Sequence, residues 1–355
     1  MYPSLLPCIA VAGLGAIGGV GFERGPGPDD QVPGAVAVWT ESSMKHRGIA
    51  EFDFALGKET WKDVGSEIDV LGVAFPVEFE QAMKFVIDSN GDGKPDRDIK
   101  GQTGYVELKG KNAAGEVFHY GVRFENKGER KYSWAASGAM VGRIGGQAVS
   151  IIDANANGRY DDYGTDGLVI GTGIGAGYVS RVVNLGGDLF DFEVSADGTT
   201  VKTRPYGGET GTLKLGKLGG LKADVANAIF TSGREIAFQV AGETRGLAVP
   251  VGDYRLDSAL LKRRAESARV RSGRMPVAKV TAGLESLVNW GGPLTGEVPA
   301  PRVHEGNATL NPAVKVFGQA GEEYYDFQPK GKVPSYELFD ANTGKRLAKG
   351  KFPAG

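Results

Sequence analysis

Two short segments of the sequence contain side chains with the chemistry of hard-cation ligands. The first is FVIDSNGDGKPDRD, where oxygen-bearing side chains alternate before a glycine and recur after it, at Asp88, Asn90, Asp92, Asp96 and Asp98. Lys94 lies among them and would offer only its main-chain carbonyl. Calcium takes about six to eight oxygen ligands, and alternating Asp and Asn around a glycine bend point several oxygens inward. The segment therefore predicts a calcium site.

The second segment is SIIDANANGRYDDYGTDG, and it repeats this plan. Its expected ligands are Asp153, Asn155, Asn157 and Asp161, with Asp162 and Asp166 in reserve. It has one carboxylate fewer among its first three ligand positions, so we expect it to bind calcium more weakly than the first segment. For both segments the alternative is a turn without metal, because Asp and Asn side chains also accept hydrogen bonds from their own backbone.

The first segment matches an EF-hand loop in its early ligands and its glycine, but Ile99 stands where the EF-hand has a bidentate glutamate. That difference argues against a regulatory calcium sensor. The segment more closely resembles dockerin-like and thrombospondin-type calcium loops, which also lack this glutamate. Apolar runs at Phe85 to Ile87 and Val149 to Ile152 lead into the two segments and are expected to be strands. The resemblance implies structural calcium in an exported protein.

Residues 1–22 form a signal-like apolar segment that contains LLPCIAVAGLGAIGGV, a run shorter than the ~20 residues that span a bilayer. We therefore expect export to the cell surface, the periplasm or the medium, without a transmembrane span. Cys8 is the only cysteine, so no intrachain disulfide can form. A divalent metal is therefore the expected stabilising cross-link.

A rival interpretation of the same region rests on Gly13, Gly15 and Gly18, with Glu41 further on. This pattern resembles a dinucleotide-binding fingerprint, which would make the protein an NAD-dependent oxidoreductase. The fingerprint requires a helix directly after its glycines. Prolines at 26, 28 and 33 leave no room for one, because each removes a backbone donor and clashes with the preceding turn. The oxidoreductase is therefore the third hypothesis.

Composition limits the partners. The chain carries 41 basic and 43 acidic residues, so no overall field attracts a polyanion, and we expect no nucleic-acid partner. An unidentified protein or polysaccharide of the envelope is the expected partner.

From Ala35 onward the sequence consists of short β-favouring runs separated by Gly, Asn and Asp at intervals of about ten residues. The expected fold is mainly β, with two or three β-sandwich-like (immunoglobulin-like) modules and short helices at most. Val77 to Ile87 and Ser258 to Val270 fit helical and strand spacing equally, so a short helix stays open in each. The segment LAVPVGDYRL resembles a strand entry of transthyretin-like and immunoglobulin-like accessory domains, and Tyr254 is expected to bury its ring and hydrogen-bond at that corner.

These patterns suggest four divisions of the chain. Residues 1–22 are the signal-like segment, and residues 23–205 form β module(s) with the two calcium loops. Residues 206–300 form a transthyretin-like or immunoglobulin-like β domain, and residues 301–355 form a C-terminal β module.

No catalytic residue can be assigned from the sequence. The three histidines, His46, His119 and His304, have no second His or Cys at ligand spacing. The leading hypothesis is therefore an exported calcium-binding structural, adhesion or binding protein of the cell envelope. The runner-up is an envelope hydrolase or carbohydrate-binding protein, for which Glu322 and Glu323 form one of the available carboxylate pairs.

Overall fold

Strands joined by short turns and loops make up the described chain, in which no helix occurs. The structure is a computed structural model, and it describes residues 38–48, 60–171, 175–241, 245–298, 302–304, 307–309, 314–329, 335–340 and 342–351. The mainly β fold expected from the sequence is thereby confirmed. The signal-like segment and the three glycines of the dinucleotide fingerprint lie outside the described residues.

The strands up to the second loop are β1 (Thr40–Ser43), β2 (Lys45–Arg47), β3 (Lys62–Asp63), β4 (Glu67–Val70), β5 (Val73–Gln81), β6 (Lys84–Ile87), β7 (Arg97–Lys100), β8 (Thr103–Lys111), β9 (Val117–Gly128), β10 (Lys131–Ser137), β11 (Ala139–Ile144) and β12 (Gln147–Ile152). The next are β13 (Gly167–Ile170), β14 (Gly177–Tyr178), β15 (Val182–Leu185), β16 (Asp188–Val194), β17 (Thr200–Pro205), β18 (Thr210–Leu215), β19 (Asp224–Ser232), β20 (Ile236–Gln239), β21 (Leu247–Pro250) and β22 (Gly252–Arg263). The last are β23 (Glu266–Arg271), β24 (Ala278–Val280), β25 (Glu285–Val288), β26 (Thr295–Glu297), β27 (Arg302–His304), β28 (Asn307–Thr309), β29 (Lys315–Phe317), β30 (Glu323–Gln328), β31 (Ser335–Phe339) and β32 (Arg346–Lys351).

These strands form several small sheets, almost all of them antiparallel. Strands β1 to β17 form the sheets β4-β5-β6-β7, β3-β10-β9-β8, β14-β13-β12-β11-β2 and β1-β17-β16-β15. The later strands form the sheet β21-β18-β25, in which β18 and β25 are parallel, and the sheet β20-β19-β22-β23-β30-β29-β26, with β24 added beside β22. The remaining pairs, β27 with β28 and β31 with β32, are separate hairpins.

Both segments left open between helix and strand are β-hairpins. Val77 to Ile87 is the hairpin of β5 and β6, in which Val77 pairs with Ile87 and Phe79 with Phe85. These four apolar side chains lie on one face of the hairpin, because side chains two residues apart on a strand point to the same face. Ser258 to Val270 is the hairpin of β22 and β23. No short helix therefore occurs at either place.

Two main apolar clusters stabilise the described chain. The first contains Phe85, whose ring centroid lies 5.0 Å from that of Phe124 and 4.9 Å from that of Tyr132. It also contains Ile87, one residue before Asp88, and Ile151, two residues before Asp153, so both oxygen-rich loops start from buried strands. The second cluster includes the fully buried Trp290 and belongs to the later sheets.

The corner predicted at LAVPVGDYRL is confirmed in its geometry. The strands β21 and β22 meet at Val251, and the side chain of Tyr254 is fully buried. Its hydroxyl donates a hydrogen bond of 2.9 Å to the carbonyl of Pro250. Tyr254 therefore links the start of β22 to the end of β21, while the division of the chain into separate modules stays a prediction.

Candidate metal centre

The first loop connects β6 to β7 and closes around the carboxylate of Asp88, which is only 1% exposed. Its Oδ1 accepts hydrogen bonds from the amides of Asn90 (3.1 Å) and Gly91 (2.8 Å). Its Oδ2 accepts one from the amide of Gly93 at 2.6 Å. A buried carboxyl group is thus held by three main-chain donors, and the chain turns tightly around it.

The next predicted ligands continue this turn at the surface. The Oδ1 of Asn90 accepts from the amide of Asp92, and the Oδ1 of Asp92 accepts from the amide of Lys94, both at 2.9 Å. Asp96 is held by Ser89, whose amide and hydroxyl donate to its two carboxylate oxygens at 2.6 and 2.9 Å. All three of these side chains keep lone pairs that face away from their donors.

Asp98 lies apart from this arrangement. It is on β7, where it pairs in register with Val86. Its carboxylate lies 2.8 Å from the ammonium of Lys100 and 3.4 Å from that of Lys84. The hydrogen bond from Lys100 lowers the pKa of Asp98, and the one from Lys84 adds to this. The structure therefore places Asp98 in a surface ion-pair group and not beside Asp88.

The second loop, between β12 and β13, closes by the same scheme. Asp153 is 3% exposed, and its Oδ2 accepts from the amide of Gly158 at 2.6 Å. The Oδ1 of Asn155 accepts from the amide of Asn157 (3.2 Å), and the Oδ1 of Asn157 accepts from the amide of Arg159 (2.8 Å). In both loops the first carboxylate therefore bonds the amide five residues on, while the following side chains bond amides two residues on.

The backbone repeats as well. The fourth loop residue has a positive φ in both cases, 72° at Gly91 and 55° at Ala156. The sixth is glycine in both, with φ of 84° at Gly93 and at Gly158. An alanine rarely adopts this conformation, so Ala156 indicates that the surrounding contacts impose the loop shape.

Asp162, and not Asp161, completes the second loop. Its Oδ2 accepts hydrogen bonds from the side-chain amides of Asn155 (2.7 Å) and Asn157 (2.6 Å). The neighbouring Asp161 turns outward and forms a bidentate pair with Arg159, at 3.0 and 2.8 Å. Sequence spacing favoured Asp161, whereas the structure brings the reserve ligand Asp162 to the two asparagines.

A second buried carboxylate, Asp166, lies behind the loop and is fully buried. It accepts hydrogen bonds from the amides of Ala154 (3.1 Å) and Asp162 (3.0 Å). Burial raises its pKa to about 8, and the charge of Asp153 adds to this. Burial also raises the pKa of Asp153, although its hydrogen bond from the Tyr120 hydroxyl (2.6 Å) acts in the opposite direction. No Lys or Arg of the described chain forms an ion pair with either carboxylate.

The second loop is fixed from outside by neighbouring chain. The ammonium of Lys62 donates to the carbonyl of Ala156 at 2.5 Å. Gly158 packs so closely on the turn between β4 and β5 that a Cβ there would lie 2.9 Å from the amide nitrogen of Leu71. Gly93, its counterpart, has open space at the same position. The second loop is therefore the more closely packed of the two at its sixth residue.

An open cleft of about 750 Å³ borders the second loop. Its lining includes Asn155, Asn157, Asp162, Arg181, Glu193 and Glu235. Arg181 pairs with Glu235 at 3.2 Å, and its guanidinium carbon lies 3.6 Å from the ring centroid of Tyr163. The loop side chains that face outward therefore form part of a polar wall.

The residue types of the two loops suit calcium in part. The predicted side-chain ligands of both loops are Asp and Asn residues, whose oxygens are of the kind that calcium prefers, although the NH2 groups of Asn155 and Asn157 face Asp162. Within the described residues, no three His, Cys, Asp or Glu side chains are grouped so as to hold a metal ion. Amide oxygens and carbonyls would therefore have to supply a large share of the ligands in each loop.

One cluster of titratable side chains was not expected from the sequence. His119 Nδ1 lies 2.6 Å from one oxygen of Glu107, and His46 Nδ1 lies 4.0 Å from the other. The two imidazole rings stack with centroids 6.3 Å apart, although 73 residues separate them in sequence. Only the pairing of β8 with β9, and the approach of β2, brings them together, so no local spacing signal could have revealed the cluster.

The carboxylate pair considered for hydrolysis is engaged in structural contacts. Glu322 is fully buried and accepts hydrogen bonds from the amide of Gly291 (2.6 Å) and the hydroxyl of Tyr324 (3.1 Å). Glu323 forms a bidentate pair with Arg271, at 2.9 and 2.7 Å. The two side chains therefore act separately, one as a buried anchor and the other as an ion-pair partner.

No helix in the described part of the chain is long and apolar enough to cross a membrane. The sequence matched no protein-family model and no curated protein, and the structure matched no solved structure.

Proposed function

We propose that this chain is an exported calcium-binding protein of the cell envelope, in which both loops hold structural calcium and the β sheets serve a scaffolding or binding role. The ligands would be Asp88, Asn90, Asp92, Asp96 and the Lys94 carbonyl in the first loop. In the second they would be Asp153, Asn155, Asn157, Asp162 and the Arg159 carbonyl.

The observation that carries the proposal is the shared construction of the two loops. In each loop the amide five residues after a buried aspartate donates a hydrogen bond of 2.6 Å to the aspartate Oδ2. Each repeats positive φ at the fourth and sixth residues. The two loops begin 65 residues apart and follow strands of different sheets, yet they have the same backbone conformation, which favours a common ligand over two unrelated turns.

Electrostatics adds a second argument, at the second loop. Asp153 and Asp166 are buried near each other without an ion-pair partner in the described chain. Burying charge without a counter-charge is costly, so such groups keep a proton, as the raised pKa values of both carboxyls indicate, or are paired or bound to a metal. A calcium ion beside Asp153 would provide the missing positive charge.

The charge of the proposed ligands also bears on the order of affinity. The first loop has three carboxylates, Asp88, Asp92 and Asp96, and the second has two, Asp153 and Asp162. Asp162 therefore narrows the difference without removing it, while the contact of Lys62 with the Ala156 carbonyl holds the second loop from outside. We therefore propose that the first loop binds calcium more tightly than the second.

The experiment is calorimetric titration of calcium into chelator-treated full-length protein, with melting curves in calcium and in chelator. Extracellular modules bind calcium with dissociation constants of ~0.1–1 mM, and two sites in that range are expected here. Asp92→Asn keeps the hydrogen-bond acceptor of the first loop but removes its charge, so it should weaken one site. Asp98→Asn is the matched control, and its calcium binding should equal that of the parent.

Absence of any heat of binding, together with identical melting curves in calcium and in chelator, would show that both loops are turns without metal. An equal loss of binding in Asp92→Asn and Asp98→Asn would show that calcium is attracted by general surface charge and not held by the first loop.

A further inference from the structure

We infer that Asn90, in the first loop, is the first residue of this chain to deamidate spontaneously, and that the second loop shields the other Asn-Gly pair, at Asn157. Of all the asparagines in the sequence, these two precede a glycine, at Gly91 and Gly158. Asn-Gly pairs are prone to this reaction because glycine has no side chain to obstruct the attack. The inference requires no metal ion in either loop, so it is tested separately from the proposed function.

The reaction needs the main-chain amide of the following glycine. When hydroxide removes the proton of that amide, its nitrogen attacks the side-chain carbonyl carbon of the asparagine. A C–N bond forms, the bond to the side-chain NH2 group breaks, and ammonia leaves with a proton from water, which restores the hydroxide. Water then opens the succinimide ring at either carbonyl and yields aspartate or isoaspartate. A glycine amide that already donates a hydrogen bond resists the first step.

Both glycine amides are held by the aspartate that begins their loop. The amide of Gly91 donates to Asp88 Oδ1 at 2.8 Å. The amide of Gly158 donates to Asp153 Oδ2 at 2.6 Å. Breaking such a hydrogen bond before the attack should slow the reaction by ~10- to 100-fold, which corresponds to about 1.4–2.7 kcal/mol of barrier. Both pairs should therefore deamidate more slowly in the folded chain than in the unfolded chain.

The second loop holds its asparagine as well as its glycine. The NH2 group of Asn157 donates to Asp162 Oδ2 at 2.6 Å. The Oδ1 of Asn157 accepts from the amide of Arg159 at 2.8 Å. The carbonyl carbon that would be attacked is thus fixed on both sides, and the departing NH2 group is itself bonded. Gly158 is also buried, so solvent hydroxide has little access to its amide.

The first loop constrains its asparagine less. The Oδ1 of Asn90 accepts from the amide of Asp92 at 2.9 Å, whereas its NH2 group forms no hydrogen bond with a described residue. Asn90 and Gly91 are both exposed, so hydroxide reaches this pair from solvent. Asn90 should therefore react before Asn157. Isoaspartate at position 90 would add a carbon atom to the main chain inside the loop and weaken its closure around Asp88.

The test follows deamidation of the full chain in an alkaline buffer with chelator, by peptide mapping and mass spectrometry. In urea the two pairs should react at similar rates, because the hydrogen bonds of the loops are lost. In the folded chain Asn90 should react ~10-fold or more slowly than in urea, and Asn157 at least ~10-fold more slowly again. Amide hydrogen exchange of the parent is the second measurement, in which Gly91 should exchange faster than Gly158.

A variant of the first loop tests the acceptor. Asp88→Ala removes the hydrogen bond of the Gly91 amide, so it should raise the rate at Asn90 toward the value in urea and leave Asn157 unchanged. Asp98→Ala is the matched control and should change neither rate, because Asp98 pairs with lysines outside the loop. If Asp88→Ala raises both rates by unfolding the chain, hydrogen exchange of the two glycines in the parent decides.

The reciprocal variant is in the second loop. Asp162→Ala frees the NH2 group of Asn157 and should raise the rate there without changing the rate at Asn90. Asp161→Ala is its control, because Asp161 forms an ion pair with Arg159 and does not contact the asparagine amide.

Three results would overturn the inference. One is deamidation of Asn157 as fast as that of Asn90 in the folded chain. Another is the same rate at Asn90 in the folded chain and in urea, which would show that the bond to Asp88 gives no protection. The third is faster hydrogen exchange at Gly158 than at Gly91. None of these results concerns calcium binding, so the proposed function would stand in each case.

Discussion

Replacing Asp162 by asparagine separates the structural assignment of the second loop from the one based on sequence spacing. The Asp162 carboxylate accepts hydrogen bonds from the side-chain amides of Asn155 and Asn157, at 2.7 and 2.6 Å. The neighbouring Asp161 instead forms an ion pair with Arg159. Asp162→Asn should therefore remove most of the stabilisation by calcium, and Asp161→Asn should leave it intact. The measurement is made in the Asp92→Asn background, so that the second loop contributes most of the signal.

The expected size follows from mass action. A site with a dissociation constant of ~0.1 mM is stabilised by RT ln 11, about 1.4 kcal/mol, in ~1 mM calcium. Loss of one charged ligand that weakens binding ~10-fold leaves RT ln 2, about 0.4 kcal/mol. With about 2.1 cal/mol/K of unfolding entropy per residue, a chain of 355 residues shifts by roughly 1.3 °C per kcal/mol, so the calcium-induced rise in Tm should fall from about 2 °C to about 0.5 °C.

The assay is differential scanning calorimetry of both variants and the background protein, each in calcium and in chelator. The chelator curves measure the separate cost of losing the charged acceptor for Asn155 and Asn157, which is then subtracted. If Asp161→Asn abolishes the rise in Tm while Asp162→Asn keeps it, the reasoning from side-chain contacts is refuted and the EF-hand spacing is the better guide.

Three further predictions test the loops and the histidine pair. Gly158→Ala should destabilise the protein by roughly 2–4 kcal/mol, because its Cβ would lie 2.9 Å from the main chain of the β4–β5 turn. Gly93→Ala has the same φ of 84° but open space around its Cβ, so it should cost about 1 kcal/mol. Urea unfolding of both variants measures the difference, and equal costs would contradict the packing argument. Asp88→Ala should destabilise the protein even in chelator, because three main-chain amides lose their hydrogen-bond acceptor. Asp98→Ala removes only a surface ion pair and should have little effect in the same melting experiment. An unchanged Tm for Asp88→Ala would show that the loop closes without this carboxylate. Burial lowers the pKa of His46, so the folded state binds fewer protons than the unfolded state below pH ~6.5, and the contribution of His46 to stability is lost as the pH falls through that window. The buried carboxylates of the second loop have raised pKa values and act in the opposite sense, since stability falls as the pH rises toward about 8; their effect is common to the parent and to His46→Gln. Unfolding at pH 7.5 and 5.0 should therefore show a smaller loss on acidification in His46→Gln than in the parent, and equal losses would count against a depressed pKa.

Local patterns predicted the secondary structure well where one face of a strand is buried. The hairpins β8–β9 and β16–β17 follow from apolar alternation on both sides of a turn, as at Phe190 and Phe192. The hairpins β5–β6 and β22–β23 were ambiguous, because short apolar runs fit both periods. Cross-strand partners, such as Phe79 with Phe85, decide those cases, and the sequence does not display them.

The sequence by itself determined the mainly β architecture and the positions of the two oxygen-rich loops, because turn residues and strand alternation act over a few neighbouring residues. Tertiary structure alone decided which side chains meet. Asp98 is drawn to Lys84 and Lys100 by the pairing of β6 with β7, and Asp162 takes the place that spacing gave to Asp161. The physical reason is that the residue types of a loop decide which oxygens are available, whereas the direction of each side chain depends on strand register and on neighbours distant in sequence. The same reason brings His46 beside His119 and places Asn157 and Glu193 in the lining of one cleft.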